Sequence, residues 1–496
     1  MVFGSNSLMK TKSVEMSGIN CVLKNIDGII GICDMLQSSY GADGMYKLVV
    51  NAHQKTIISR SVASILSGCD IEHPALRMLV EPVAHLAQLG DCTGFFMGVL
   101  GEVLKKSALL IEQQVLPTEI ASGLRDTLAD LSEVFDKVSE KVEFSLTDKD
   151  VLAKVTSGIL KEGKLADLLS EAIAGISKNG SFALDSVRVT KVDTGSMEDS
   201  ERLPGMLLEI APAGTVEMGQ NLKTAIYTCP LAMSNLETKG TVLFKNAEEL
   251  ANYARDDEST ASEFVDSITA NGVGLLVCSG SVDPLLLDFL NAKGVAVLSV
   301  HSKFDLRRLC LLFGGRFSHT MRPMEPEFLG VCNSLEICTY GDRRYTKITG
   351  PGRVNTLVVR GSLPARLEES ERLIGKATYA LQTCANESMR TGKLRLLAGA
   401  GKGEELLAAQ IKQVVADKSD AQKIAGGVIA DAMKTVGARC QAPDYPVYDI
   451  AAIKQRALEY ALILAADILS VTQMFITKNE DALQAPKRPG HWDDYD

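Results

Sequence analysis

Three short glycine-bearing stretches carry the residue types that suit phosphate and metal chemistry. The first, Leu89-Gly90-Asp91-Cys92-Thr93-Gly94, lies between two apolar segments of helical spacing, the earlier one running from His73 through Leu86. Gly90 can close that helix in a left-handed cap, and the N–H groups that open the next one attract anions. Asp91 can hold a divalent cation beside such an anion, and Thr93 adds a hydroxyl. An ordinary N-cap at Asp91 or Thr93 explains the same residues equally well. The second stretch, Ser38-Ser39-Tyr40-Gly41-Ala42-Asp43-Gly44, reads by itself as a turn. The third, Gly399-Ala400-Gly401-Lys402-Gly403, lacks the first glycine and the Ser or Thr that a P-loop requires. Alone it is a turn before a helix starting at Glu404. No GxSxG elbow and no HExxH pair occur, and His301 beside a strand reads as structural. Several backbone loops converging on one phosphate group would make physical sense of all three stretches.

Composition narrows the classes. The chain has 496 residues, enough for two to four domains, and 46% of them are hydrophobic, too many for a disordered protein. A net charge of -10 argues against general nucleic-acid binding. The 11 cysteines form no CxxC pair and the six histidines no local zinc pattern, which suits a reducing compartment. The start, Met1-Val2-Phe3-Gly4-Ser5, does not read as a signal peptide. The apolar stretch from Ala461 to Ile476 is interrupted by Asp467 and Gln473, so it reads as a buried helix and not a membrane span. A cytoplasmic location without membrane or nucleic-acid partners is the expectation.

The elements that must position the three loops follow a nested order. Residues up to about 145 are mostly helical, with a hairpin formed by Tyr46–Asn51 and Lys55–Ser59. Two amphipathic helices, about 148–161 and 164–177, precede a strand at Ser186–Val192, and Gly205 marks a boundary or hinge. From about 206 to 354 strands and helices alternate. Lys223–Tyr227 and Thr241–Phe244 read as strands, and Asn246 resembles a capping-box N-cap. Strand Gly274–Cys278, helix Pro284–Leu290, strand Val295–Val300 and helix Asp305–Phe313, closed by Gly314, suggest a βαβα unit with a partly parallel sheet. Strand Asn355–Gly361 leads into a charged helix from about Ala365 to Ala385. Helices then return, with a loop at Gln441–Pro446 and a mobile tail after Lys478. The two chain ends are expected to build one base, with the middle inserted.

The motifs together carry a family resemblance over nearly the whole length. Ser39–Met45 resembles the GPxGM loop of group II chaperonin subunits. His73-Pro74-Ala75 and Gly90-Asp91-Cys92-Thr93-Gly94 resemble their HPAA and GDGT motifs. Cys229-Pro230 with Glu237–Leu243, Asp305–Cys310, and the ending from Pro486 to Asp494 are most similar to the theta type of the eukaryotic cytosolic chaperonin. The resemblance implies a mixed α and β, three-domain architecture. A helical equatorial domain would span 1–145 and 391–496, a small α+β intermediate domain 146–205 and 355–390, and an α/β apical domain 206–354. A helical protrusion near Thr238–Phe264 would serve as a lid. The implied activity is ATP-dependent folding of proteins such as actin and tubulin. The implied assembly is two stacked eight-membered rings of paralogous subunits.

Carried over by position, the resemblance implies that Tyr40 and Gly41 contact ATP or ADP and that Asp91 binds magnesium. Cys92, Thr93, Gly94 and Phe95 would line the phosphates, and Lys161 would approach from the intermediate domain. Gly399 and Ala400 would form the second glycine loop, Asp449 would lie near ribose and adenine, and Lys454 would follow at the family spacing. Several positions depart from the family. Cys92 replaces a glycine, Ala400 interrupts a GGG loop, Asn51 stands where many paralogs have Asp, and Ser61-Val62 replaces Asp-Gly. The region between Lys434 and Asp449 is short, and Lys376 falls near the family's water-positioning aspartate. A lysine cannot act as that carboxylate, so ATP binding with weak or absent hydrolysis is expected. An archaeal-like homo-oligomeric chaperonin ATPase and a chaperonin-derived scaffold without a folding cycle stay open as alternatives.

Overall fold

The computed structural model describes residues 14–41, 44–51, 54, 56–71, 73–160, 163–178, 180–232, 246–440 and 447–476. The chain divides into two compact units, one made of 1–140 with 395–496 and one of 141–394.

The first unit is a helical bundle around Thr93–Glu112. The first three turns of that helix are largely apolar, with Phe95, Phe96, Met97, Val99, Leu100, Val103 and Leu104 all buried, so other helices must wrap them. Ile19–Gln37, Asp420–Ala438 and Ala451–Ser470 pack on it. Ala457, Ala461 and Ala465 repeat at four-residue spacing on the last of these and are fully buried, which lets the backbones approach closely. Partners therefore come from both ends of the sequence. A two-stranded antiparallel sheet of Val14–Ser17 with Gln473–Ile476 ties those ends together, with Ser17 opposite Gln473. Lys47–Val50 and Thr56–Ser59 form the expected hairpin.

The second unit holds two sheets. In the larger, Ala296–Ser299, Val273–Cys278 and Gly219–Tyr227 run parallel, and Gly330–Tyr340, Arg343–Thr349 and Met206–Leu208 continue antiparallel. One face is covered by Lys303–Phe313 through Leu306, Leu309, Leu312 and Phe313. The other is covered by Ala247–Ala270 and Pro284–Ala292 through Ala261, Phe264, Val265, Ile268, Leu286 and Leu290. In the smaller sheet Asn355–Arg360 lies between Val187–Val192, parallel to it, and Glu201–Pro204. The chain leaves the smaller sheet for the larger through Gly205, at φ 106°, where a Cβ would sit 2.1 Å from the Ile348 carbonyl oxygen. Only glycine fits such a passage.

Several local expectations differ from this fold. The helix expected from His73 through Leu86 is two pieces, Pro74–Arg77 and Val80–Leu89. The stretch Ala461–Ile476 is helical only to Ser470, because its last residues pair with the first strand. Asn246 takes the N-cap position, but its side chain makes no cap bond. The charged helix is longer than expected, Pro364–Thr391, and ends on the left-handed Gly392. The strand expected at Thr241–Phe244, the loop 441–446, the tail after Lys478 and part of the segment expected as a lid lie outside the described residues. Among the described residues no helix is long and apolar enough to cross a membrane.

Lys303–Phe313 is joined to the smaller sheet by a shielded ion pair. Arg188 faces Asp305 with two bonds, Nε to Oδ1 at 2.9 Å and Nη2 to Oδ2 at 3.1 Å, and Arg308 adds a third at 3.0 Å. Burial pushes the Asp305 carboxyl up, but Arg188 and Arg308 outweigh it and hold it below the ordinary value of 3.8. Asp305→Asn should lower stability by roughly 2–4 kcal/mol at neutral pH, since it leaves Arg188 shielded and short of its counter-charge. The folded carboxyl value lies below the unfolded one, so the contribution is full above about pH 4 and is lost as pH falls through the folded value. Guanidinium unfolding of the full-length chain should show the wild-type advantage shrinking on acidification; an advantage that holds constant in acid contradicts this assignment.

Candidate nucleotide-binding site

The first unit brings the three glycine stretches together. Gly90 caps Val80–Leu89 at φ 118°, its N–H donating to the Leu86 carbonyl. Cys92 follows at φ 66° and ψ 13°, left-handed again, and Thr93 opens the buried helix. Two residues of positive φ therefore flank Asp91. The helical ladder begins with the Phe96 N–H donating to the Cys92 carbonyl at 2.9 Å, so the N–H groups of Thr93, Gly94 and Phe95 precede it. The N-cap position is taken by Cys92, not Asp91 or Thr93, and the Cys92 side chain makes no cap bond. A thiol side chain at a left-handed position costs about 1 kcal/mol or more in backbone energy.

Tyr40 comes from the turn after Ile19–Gln37 and packs against this helix start. A Cβ on Gly94 would sit 2.8 Å from Tyr40 Cδ2, so the glycine is what allows the ring to approach. Gly41, at φ 94°, faces Cys440 at the end of Asp420–Ala438.

The third stretch is placed by a strand pair. Leu394–Ala398 runs antiparallel to Tyr448–Ile450, with Leu397 opposite Asp449. The Gly399 N–H then donates to the Val447 carbonyl at 2.8 Å. Ala400 and Gly401 are both left-handed, at φ 56° and 88°, and the helix starts at Lys402, two residues before the expected Glu404. Gly401 abuts the Gly437 carbonyl, which brings this turn to the same end of Asp420–Ala438 as Gly41.

A charged cluster closes the arrangement. Lys454 is 1% exposed; its Nζ lies 2.6 Å from Glu404 Oε1 and 2.5 Å from Asp449 Oδ2. It also stands 5.0 Å from the centre of the Phe95 ring, a cation–π contact that draws in the start of the first helix. Tyr40 donates its hydroxyl to Glu404 Oε1 at 3.1 Å. Burial alone would push the Lys454 amine down, but Asp449 and Glu404 outweigh it and hold the amine above the ordinary lysine value. Burial raises the Tyr40 hydroxyl and the Cys92 thiol well above their usual values, and nearby Glu404 and Asp91 respectively raise them further. Both groups stay protonated at neutral pH, and so does the Cys440 thiol, raised to about 11 by burial and Glu404. Cys92 is therefore not a nucleophile.

This set has the donors and charges a magnesium nucleotide needs. Helix-start N–H groups suit phosphate oxygens, and Asp91 at the same helix start is a residue type that binds magnesium. Among the described residues no three His, Cys, Asp or Glu side chains converge to chelate a metal alone. Magnesium commonly takes one or two carboxylates with phosphates and water, so a protein site for it needs no more than Asp91. Eleven of the expected site residues, Tyr40, Gly41, Asp91 to Phe95, Gly399, Ala400, Asp449 and Lys454, belong to this one unit. Lys161 lies outside the described residues. Lys376 belongs to the second unit, half-buried in the middle of Pro364–Thr391. Sequence reasoning missed Glu404, because an acid in a first helical turn is unremarkable.

Comparison with known proteins agrees with the fold. The model of the TCP-1/cpn60 chaperonin family matches residues 32–439. The T-complex protein 1 subunit theta of Encephalitozoon cuniculi is 32% identical, with 94% of this chain and 93% of the relative covered. The theta subunit of Saccharomyces cerevisiae is 29% identical, with 96% and 95% covered, and that of Caenorhabditis briggsae 27%, with 99% and 98% covered. A match of this length, on a chain with this mixed helix and sheet fold, means that the protein belongs to the TCP-1/cpn60 chaperonin family.

Proposed function

We propose that this chain is a theta-like subunit of a cytoplasmic hetero-oligomeric chaperonin ring, binding ATP with magnesium to drive the folding of other proteins. The observation that carries the reading is the convergence of Tyr40, the Asp91–Phe95 helix start, the Gly399–Gly401 turn and the Asp449–Lys454 pair within one unit. The N–H groups of Thr93 to Phe95 hold phosphate, Asp91 holds magnesium, and Asp449 faces the sugar. The theta names of the relatives support a place among paralogous subunits; in this reading the assembly is two eight-membered rings that enclose clients of the actin and tubulin kind. Equatorial segments 1–145 and 391–496, intermediate segments 146–205 and 355–390 and an apical segment 206–354 give the subunit its lever. Nucleotide binding shifts the population between open and closed rings.

Hydrolysis by this subunit is weak or absent. Lys376 stands near the place of the family's water-positioning carboxylate, and an ammonium cannot orient and deprotonate a water as a carboxylate does. The chain therefore works as a nucleotide-occupied member of a ring whose turnover other subunits supply.

Two experiments test this reading. Calorimetry on the full-length chain should show binding of magnesium-ADP, and Asp91→Asn should weaken it by about a hundredfold, the scale of a lost metal ligand or its shell. Single-turnover assays should find little hydrolysis; turnover matching an ordinary paralog and lost in Asp91→Asn would refute the slow-subunit reading. Cys92→Gly should bind magnesium-ADP several-fold more tightly with little change in melting temperature. Relief of about 1 kcal/mol of left-handed strain roughly offsets the lost burial of the thiol, while the backbone gains room at the phosphates. Weaker binding by that variant would show that the thiol is itself part of the site.

A further inference from the structure

Glu404 has no assigned role, yet the site is built on it. The residue is 1% exposed, in the first turn of Lys402–Val414, and carries a carboxylate where packing alone would favour an apolar side chain. A single oxygen, Oε1, accepts from two groups far apart in sequence: the Tyr40 hydroxyl at 3.1 Å and the Lys454 amine at 2.6 Å. Its other oxygen, Oε2, is buried with no partner among the described residues. Such an atom costs about 1–3 kcal/mol, so stability is a poor explanation for keeping the acid. The two groups it holds are the ring that lies against Gly94 and the amine that meets Asp449 and the Phe95 ring.

We propose that Glu404 is the positioning residue of the nucleotide site: one carboxylate oxygen sets both the Tyr40 ring over the phosphate-facing helix start and the Lys454 ammonium beside Asp449. This rests on the nucleotide-binding reading above. Glu404 touches no reacting atom. It acts through Tyr40 and Lys454, and it makes the turn at Gly399–Gly401 report its position to the helix start at Thr93. Without it, Tyr40 loses its acceptor and Lys454 keeps a single carboxylate in a fully buried place.

The groups that face Lys454 are Glu404 from Lys402–Val414, Asp449 from Tyr448–Ile450, and Cys92 with Phe95 from the first helix start; Tyr40 and Cys440 stand behind Glu404. Cys92 and Tyr40 are held protonated, so the two carboxylates are what keep the amine charged. With both, the amine stays protonated through the accessible range and magnesium-ADP affinity should be flat from about pH 7 to 9.5. In Glu404→Gln, burial is opposed by Asp449 alone and the amine titrates lower. Affinity should then be about tenfold weaker at pH 7 and fall by a further tenfold or so toward pH 9.5. Tyr40→Phe cuts only the other bond and should weaken binding about threefold with a flat pH profile. Glu404→Asp keeps the charge and should restore the flat profile, and it serves if the Gln variant does not fold. Binding to full-length chains by calorimetry with magnesium-ADP reads all of these. No binding by the wild type refutes the nucleotide reading itself. Wild-type binding with an equal affinity and equally flat profile in Glu404→Gln overturns the role of Glu404 and leaves that reading intact.

Discussion

An ammonium group taken wholly out of water is intolerable unless opposite charge is placed within reach. Lys454 imposes that constraint on the first unit. Its two counter-charges come from different elements, Glu404 from the helix after a glycine turn and Asp449 from a short strand. Its third neighbour, the Phe95 ring, comes from the other end of the chain. Satisfying one amine therefore brings together the segments around residues 95, 404 and 449, and Tyr40 joins through the same carboxylate. The loops that each looked like a turn in isolation become one cradle because a single buried charge needs all of them.

The backbone around that cradle is strained in a consistent way. Cys92 and Ala400 are left-handed without being glycine, and each immediately precedes or lies within a turn that leads into a helix. Such conformations persist where surrounding structure over-determines them, and here the surroundings are close-packed: Phe95 and Phe96 anchor one turn, and the Gly437 carbonyl abuts the other. Left-handed residues at a turn leave backbone N–H groups facing away from the helix ladder, a conformation that suits anions.

How much of this was legible beforehand differs from residue to residue. The nested order of helical, mixed and α/β segments follows from periodicity, and the parallel strands Val273–Cys278 and Ala296–Ser299 stand where the βαβα pattern puts them. Gly314 and Gly90 close their helices in the left-handed conformation that their spacing foretells. Failures cluster where the deciding partner is distant. The end of Ala461–Ile476 turns into a strand because its pairing partner is Val14–Ser17, which no local window contains. Asn246 has the right chemistry for a cap and the right position, but no bond forms. Glu404 was invisible as a site residue for a similar reason: its neighbours Tyr40 and Lys454 are remote, and locally it is one more acid at a helix start. The resemblance to chaperonin subunits supplied Asp449 and Lys454, which have no local signature of their own.

The discontinuity of the first unit has a consequence in time. Residues 141–394 form a complete unit, whereas the first 140 residues lack the helices Asp420–Ala438 and Ala451–Ser470 and the strand Gln473–Ile476 that complete theirs. During synthesis from the N-terminus the inserted unit is finished first, and the segment that started the chain waits with the apolar flanks of Thr93–Glu112 uncovered until the last helix emerges. A protein of a folding-machine family thus passes through a long interval in which its own oldest segment is the one most in need of shelter.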